Sequence, residues 1–256
     1  GILRAHFCAL TDDTCNASGN NSPRPWSLRC VNEWLAMSGL RASIRLYGLV
    51  KNSGYTDNPQ RQPVDILCMV NRLGGKAIRA FVSRLDAELM TRSAGLHDYH
   101  VIPLRNFEPN TFIDAHQGWL TLHISCGFVA PAGHSLIKDG ALMPMGWYVY
   151  SEIGQWTAEH HLDLGAQMAE LLQSTYELNR LRNYNAWLNE LDDATPDELT
   201  WHVDEAWQHL QTAISPDSHE HRHALFDPVD NRWRFAATEV DIYQPHPEPL
   251  KQGALN

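Results

Sequence analysis

The sequence has no apolar run that approaches the roughly 20 residues a membrane-spanning helix needs. It also has no excess of positive charge, because 20 lysines and arginines stand against 30 aspartates and glutamates, for a formal net charge of −10. Nonspecific nucleic-acid binding depends on neutralising phosphates with Lys and Arg. We therefore expect neither a membrane nor a nucleic-acid polymer among the partners of this chain.

Cysteine is scarce and lacks a pairing pattern. The 5 cysteines form no Cys-X-X-Cys motif, and their number is odd. In a chain of this size that pattern is typical of free thiols in a reducing compartment. The sequence therefore predicts a cytoplasmic protein.

The common catalytic signatures are missing as well. Residues 133–135 read Gly-His-Ser and lack the second glycine of a nucleophile elbow. Residues 74–76 read Gly-Gly-Lys but precede a predicted strand, whereas a phosphate loop opens a helix. Histidine is abundant, in clusters at 97–100, 160–161 and 219–223. None of these clusters has the His-Glu-X-X-His spacing of a helical zinc site, and we predict no metal site.

The overall composition is that of a globular domain, with 43% hydrophobic and 20% charged residues. A length of 256 residues is enough to bury a sizeable core, and we expect a single domain. Within it we distinguish a loop-rich entry (1–26), a helical block (147–214) and a C-terminal tail (243–256).

The chain is organised around its middle section. Apolar residues spaced by three and four predict a helix over Val64–Leu73, which ends at a Gly-Gly pair. Ile78–Ser83 and Trp119–Ser125 are rich in β-branched and aromatic residues and predict strands. The second of these is expected to form a hairpin with residues 112–114.

These elements predict an α+β fold with a mainly antiparallel or mixed sheet packed by helices. Further strands are expected near 42–50 and 232–242. Thr195, Pro196 and Glu198 form a capping-box pattern that predicts the start of the last helix. Residues 91–110 and 127–146 are expected to be long loops that meet over one edge of the sheet, where such loops are usually functional.

Three segments resemble the thymidylate synthase superfamily, which includes the deoxycytidylate hydroxymethylases. Tyr47-Gly48, a polar loop, the predicted helix and the Ile-Arg-Ala-Phe-Val-Ser strand at 78–83 are similar to the family's Tyr-Gly, helix and Arg-Arg-Ile-Ile-Val-Ser strand. Residues 98–125 stand where the family has its catalytic loop and following strand. Residues 243–247 read Tyr-Gln-Pro-His-Pro and resemble the terminal Tyr-Asp-Pro-His-Pro segment that closes over the folate.

The chain departs from this family at the catalytic centre. The family's nucleophilic Cys-His pair has no counterpart, since residues 101–105 read Val-Ile-Pro-Leu-Arg. Its Gln-Arg-Ser phosphate motif is replaced by Ser125-Cys126-Gly127. Arg79, by contrast, matches an arginine that in the family reaches a nucleotide phosphate across a dimer interface. The resemblance thus implies a divergent enzyme without the cysteine adduct, or a homologue that binds without turnover.

The implied function is binding of a pyrimidine-nucleotide-like phosphorylated substrate by a homodimer, with one-carbon (methyl or hydroxymethyl) transfer as the transferase reaction. The cofactor is unknown, and a reduced folate is the candidate that the resemblance suggests. The expected acid–base groups are Asp98, His100 and Glu152. The expected substrate-binding residues are Arg79, Tyr150, Tyr243 and His246, with Tyr150 and Glu152 on a helix.

A second hypothesis is a non-catalytic binding or interaction protein of the same fold. The helical block 147–214 is rich in Trp, Leu and Glu, and could supply a dimerisation surface. An exposed apolar patch on that block would favour this function.

Overall fold

A computed structural model of the chain describes residues 2–5, 39–52, 64–70, 75–130, 136, 141–210, 213 and 221–237. These residues form a nine-stranded mixed sheet and five α-helices, which confirms the predicted α+β class. No helix in these ranges is long and apolar enough to cross a membrane.

The strands are β1 (Ile2–Ala5), β2 (Tyr47–Asn52), β3 (Val64–Val70), β4 (Lys76–Phe81), β5 (His100–Pro103), β6 (Trp119–Ala130), β7 (Pro144–Glu152), β8 (Arg222–Asp227) and β9 (Arg232–Ala237). The helices are α1 (Arg84–Ser93), α2 (Asn110–Ala115), α3 (Gly165–Leu178), α4 (Tyr184–Asp193) and α5 (Pro196–Leu210), and a 3-10 turn spans Leu104–Asn106.

The long strand β6 lies at the centre of the sheet. One of its edges pairs antiparallel with β7 along most of its length. Its other edge pairs in parallel with β4 over residues 122–125, and then antiparallel with β8 over residues 128–130. The change of partner coincides with a register irregularity between Ser125 and Phe128. A β-bulge of this kind bends a strand and redirects its pairing.

Helices cover the two faces of this sheet. On one face, alternate residues of β4 and β6 such as Ile78 and Leu122 share a core cluster with Leu172 of α3 and Leu188 of α4. On the other face, Phe81 packs in a cluster with residues of α1. Side chains on opposite faces of β4 therefore meet different helices, as the twofold alternation of a strand requires.

The helix predicted over Val64–Leu73 is wrong, because Val64–Val70 forms β3. This strand pairs with β1 on one edge and with β2 and β4 on the other. Both faces of β3 carry apolar residues, with Ile66 and Cys68 in one core cluster and Leu67 packed against another, so its sequence does not alternate strictly. The spacing of its apolar residues therefore imitated a helix.

Two further predictions fail in the same region of the sheet. Residues 112–114 belong to helix α2 and not to a hairpin strand. The helical block does not begin at 147, because Pro144–Glu152 is β7 and the first helix after it starts at Gly165. Aromatic and apolar residues occupy both faces of β7, which obscured its alternation in the sequence.

The segments predicted as loops also contain regular structure. Residues 91–110 include the end of α1, β5 and the 3-10 turn. β6 extends to Ala130 and β7 begins at Pro144, which shortens the connection between them. Of the histidine cluster at 219–223, Arg222 and His223 belong to β8. The predicted last strand is confirmed over Arg232–Ala237.

The capping box is confirmed. Thr195 Oγ1 accepts a hydrogen bond from the Glu198 backbone N–H at 3.3 Å, and Glu198 Oε2 accepts one from the Thr195 backbone N–H at 2.8 Å. The two side chains thus satisfy amide groups that the first turn of α5 leaves unpaired.

Candidate functional site

Arg79 on β4 is a largely buried cation without a carboxylate partner in the part of the chain that the structure describes. Its Nη1 lies 4.0 Å from Met90 Sδ and its Nη2 3.8 Å from Met69 Sδ. Its Nε is buried and has no hydrogen-bond partner among the described residues. Burial lowers the pKa of Arg79, yet an arginine keeps its charge in proteins. Since thioethers are weak acceptors, the positive charge is poorly compensated.

The pairing of three strands places this arginine in a row with aromatic side chains. Arg79 is the register partner of His123 on β6, and His123 is the partner of Tyr148 on β7. Paired residues on adjacent strands project from the same face of a sheet. Tyr150, two residues along β7, projects from that face too. We call these four residues the arginine row.

The imidazole of His123 lies between the cation and the tyrosines. Its side chain is only 5% exposed, and its Nδ1 lies 3.1 Å from Ser125 Oγ. Burial, reinforced by the charge of Arg79, lowers the pKa of His123 to about 4. The ring is therefore neutral at pH 7, with one nitrogen able to donate a hydrogen bond and the other able to accept one.

The two tyrosines form the aromatic end of the row. The rings of His123 and Tyr148 meet edge to face with centroids 4.9 Å apart, and those of Tyr148 and Tyr150 stack at 6.0 Å. The Tyr148 hydroxyl donates to Met69 Sδ at 3.7 Å. Tyr150 is 41% exposed, so this end of the row reaches solvent. The row therefore places a positive charge that can bind an anion beside a flat aromatic surface.

The structure brings together only some of the predicted site residues. Arg79 and Tyr150 lie in the arginine row, although Tyr150 and Glu152 are on strand β7 and not on a helix. Glu152 is exposed and projects from the same face two residues beyond Tyr150. Tyr243 and His246 lie outside the described residues.

Asp98 and His100 are placed at another edge of the sheet. His100 begins β5, and β2 separates β5 from β4, because Tyr47 of β2 pairs with both strands. The Asp98 carboxylate accepts a hydrogen bond from Lys51 Nζ at 3.0 Å, which lowers its pKa. The structure therefore does not bring this acid–base pair to the arginine row.

Sequence reasoning missed His123 and Tyr148. A signal for His123 was present, since Thr121, His123 and Ser125 alternate with apolar residues and mark one polar face of β6. No local pattern could have found Met69 or Met90, which approach Arg79 only through the fold.

The histidine clusters do not form a metal centre in the described ranges, where no group of three or more His, Cys, Asp or Glu residues is suitably arranged. His160 Nδ1 accepts a hydrogen bond from the Thr157 backbone N–H at 2.9 Å. His223 is buried, and its Nε2 lies 2.7 Å from the carbonyl oxygen of Cys126. Burial lowers the pKa of His223 to about 4, so this side chain is a neutral core residue at pH 7.

A second polar group lies in the protein interior around Asp86 of α1. Its Oδ2 accepts a hydrogen bond from the Gly127 backbone N–H at 2.9 Å, while its Oδ1 is buried without a partner among the described atoms. Burial raises the pKa of Asp86 to about 7, although the bond from Gly127 partly opposes this. Burial also raises the pKa of the Cys126 thiol and of the Tyr184 hydroxyl. These groups are enclosed, so we assign them to stability and not to ligand binding.

No family model, curated protein or solved structure matches this chain. Its function is therefore inferred from the chemistry of its own residues. Among the surfaces described above, the arginine row is the one that combines an uncompensated charge, a neutral imidazole and an exposed aromatic ring.

Proposed function

We propose that this protein binds a small phosphorylated, nucleotide-like ligand on the arginine row. The observation that carries the proposal is the largely buried guanidinium of Arg79, which has two thioether sulfurs and no carboxylate beside it among the described residues. An unpaired buried charge is costly to a fold. An anionic ligand would supply the missing counter-charge, and the planar fork of an arginine suits a phosphate.

The remaining residues of the row favour a ligand with a flat ring. Stacking of a base on an aromatic side chain contributes roughly 1–3 kcal/mol, and Tyr150 exposes enough of its ring for such a contact. The neutral imidazole of His123 can exchange hydrogen bonds with the polar edge of a heterocycle.

The resemblance to the thymidylate synthase superfamily makes a pyrimidine monophosphate the first ligand to test. Arg79 matches that family's phosphate-binding arginine. The resemblance also adds a reaction to the proposal. In this reaction a homodimer transfers a one-carbon group from a reduced folate to such a nucleotide. Cys68 and Cys126 are buried, and burial raises the pKa of the Cys126 thiol, so neither is a suitable nucleophile. Glu152 is the acid–base candidate that shares a sheet face with the row.

A thermal-shift screen against nucleoside monophosphates, with and without a reduced folate, tests the proposal directly. A ligand at about 100 times its dissociation constant stabilises the folded state by about 2.7 kcal/mol. We expect a raised melting temperature with a pyrimidine monophosphate. If no nucleotide raises the melting temperature, the proposal is rejected.

Replacing Arg79 with methionine should separate binding from folding. Loss of a charged hydrogen bond should weaken nucleotide binding by roughly 1.5–3 kcal/mol, or about 10- to 150-fold. The free protein should be at least as stable as the wild type, because a thioether replaces a buried charge without a carboxylate partner. Calorimetric titration measures the first effect, and urea unfolding measures the second.

Arg182→Gln is the matched control, since Arg182 is exposed and lies outside the row. This control should bind nucleotide normally despite the same change of charge. A destabilised Arg79→Met protein with normal nucleotide affinity would instead make Arg79 a structural residue.

The second candidate function is self-association through the helices of the C-terminal half. Trp201 of α5 is 52% exposed, and Leu178 at the end of α3 is 54% exposed. Tryptophan is enriched among the residues that contribute most to protein interfaces. If the helices form a dimer interface, Trp201→Glu should yield a monomer in sedimentation analysis while leaving nucleotide binding intact. An unchanged oligomeric state would remove Trp201 from such an interface.

A further inference from the structure

A separate cleft of about 500 Å³ lies between residues 40–47, the β5 strand with its following 3-10 turn, and the C-terminal end of α4. Its volume is within the range of small-molecule sites. Four arginines are among the residues that line it: Arg41, Arg45, Arg84 and Arg105. The whole chain has 20 lysines and arginines and a net charge of −10, so this local concentration of positive charge runs against the overall balance.

One of the four arginines is already neutralised by the protein. Arg45 forms an ion pair with Asp192 near the end of α4, and the Tyr47 hydroxyl donates a hydrogen bond to the same carboxylate. Asp193 also lines the cleft and contributes a second negative charge near Arg45. The acidic residues of the cleft are therefore gathered around Arg45.

The other three arginines have no carboxylate within ion-pair distance in the described ranges. Arg41 has a buried Nε that lacks a hydrogen-bond partner within the described part of the chain. Arg84 is the first residue of α1, and its charge acts on Glu88 one turn later without direct contact. Arg105 lies in the 3-10 turn and is exposed. His161 adds a further nitrogen-bearing ring to the lining.

We propose that this arginine cleft is a second binding site, for a small polyanion that carries linked phosphate groups. A single guanidinium group can bind two phosphate oxygens through two parallel hydrogen bonds. Several guanidinium groups in one cleft therefore favour a ligand with more than one charged centre. None of the residues of the arginine row lines this cleft. The inference thus goes beyond the proposed nucleotide site and does not depend on it.

Calorimetric titration of the full chain with inorganic pyrophosphate tests this site. We expect one pyrophosphate to bind per chain, with affinity that falls as salt is raised because the contacts are ionic. Arg84→Gln and Arg105→Gln should each weaken binding by at least about tenfold, the effect of losing a hydrogen bond to a charged group. Arg41 is left intact because its Nε is buried, so that replacing it would alter the protein interior as well as the cleft.

Two variants provide the controls. Arg182→Gln removes an exposed positive charge outside the cleft, and Arg79→Met removes the charge of the arginine row. Both should bind pyrophosphate like the wild type. Absence of binding, or normal binding by both cleft variants, would overturn the proposal. Loss of binding in Arg79→Met alone would place the anion in the row and would also overturn it.

Competition then distinguishes this inference from the proposed function. A pyrimidine monophosphate should still raise the melting temperature when the cleft is saturated with pyrophosphate, because the two sites share no residue. Loss of the nucleotide effect under these conditions would show that both anions use one site, and would contradict a second site. A protein that binds pyrophosphate but no nucleotide would reject the proposed function alone.

Discussion

Replacing Asp86 with asparagine should stabilise the protein at pH 8 and remove the part of its pH-dependent stability between about 4 and 7 that comes from this carboxyl. The side chain of Asp86 is 1% exposed, and burial raises its pKa from 3.8 to about 7. The hydrogen bond from the Gly127 backbone N–H favours the charged form but does not outweigh the burial.

The sign of the effect follows from the protons bound in each state. Since the pKa of Asp86 is raised by folding, the folded protein keeps a proton that the unfolded chain releases as the pH rises above 3.8. The contribution of Asp86 to the free energy of unfolding therefore falls with rising pH until about pH 7, where the folded state also loses the proton. A shift of about three pKa units corresponds to roughly 4 kcal/mol.

Asparagine resembles the protonated acid in shape and hydrogen bonding. Its carbonyl oxygen can accept the bond from Gly127, and its amide group can take the place of the protonated Oδ1. Urea unfolding at pH 4, 5, 6, 7 and 8 measures the effect. The variant should match the wild type near pH 4 and exceed it increasingly towards pH 8.

Asp98→Asn is the control for this experiment. Asp98 is exposed, and Lys51 lowers its pKa, so ionisation of this carboxyl favours the folded state. Its replacement should therefore slightly reduce stability at neutral pH, in the opposite direction to Asp86→Asn. An Asp86→Asn variant with the pH profile of the wild type would show that Asp86 is ionised in the folded protein throughout.

Replacing Gly127 with alanine should destabilise the protein by roughly 3–5 kcal/mol, from a left-handed backbone and from overpacking together. Gly127 has φ +69°, and a Cβ placed there would lie 2.5 Å from the carbonyl oxygen of Ala224 and 2.6 Å from His223 Nε2. This carbonyl oxygen belongs to the backbone of β8, so removing the clash would require β8 to move away from β6. The position is the point at which β6 exchanges β4 for β8.

Gly154→Ala separates the two causes. Gly154 has nearly the same backbone angle, with φ +73°, but an added Cβ would meet no described atom within 4 Å beyond its chain neighbours. This control should lose only about 1–2 kcal/mol, the cost of the left-handed conformation for an L-residue. The midpoint of urea unfolding compares the two variants. Equal losses would mean that β8 yields to the added methyl group without cost.

The parts of the fold that were predicted correctly depend on local signals. The strands at 78–83 and 119–125 have β-branched and aromatic residues between polar boundaries, and the start of α5 has its cap within four residues of sequence. The errors at β3 and β7 have a common cause. Both strands are apolar or aromatic on two faces, so their periodicity was ambiguous until the neighbouring strands were known.

The candidate site likewise has a part that the sequence predicts and a part that depends on the tertiary structure. Arg79 and Tyr150 were predicted site residues, but their placement in one row depends on the register of β4, β6 and β7. That register puts His123 between them, and the fold brings two methionines to the guanidinium. The grouping of Arg41, Arg84 and Arg105 is likewise invisible in the sequence, because residues from three separate elements meet only at the cleft.

The sequence by itself determined the α+β class, the acidic balance of charge and the capped start of the last helix. These properties depend on composition or on residues within a few positions of one another. Tertiary structure alone decided which charges are buried, which are paired and which face a cleft. Burial and pairing depend on residues that are distant in the sequence. They make Arg79 part of a candidate ligand site, and they make Asp86 a pH-sensitive group in the core.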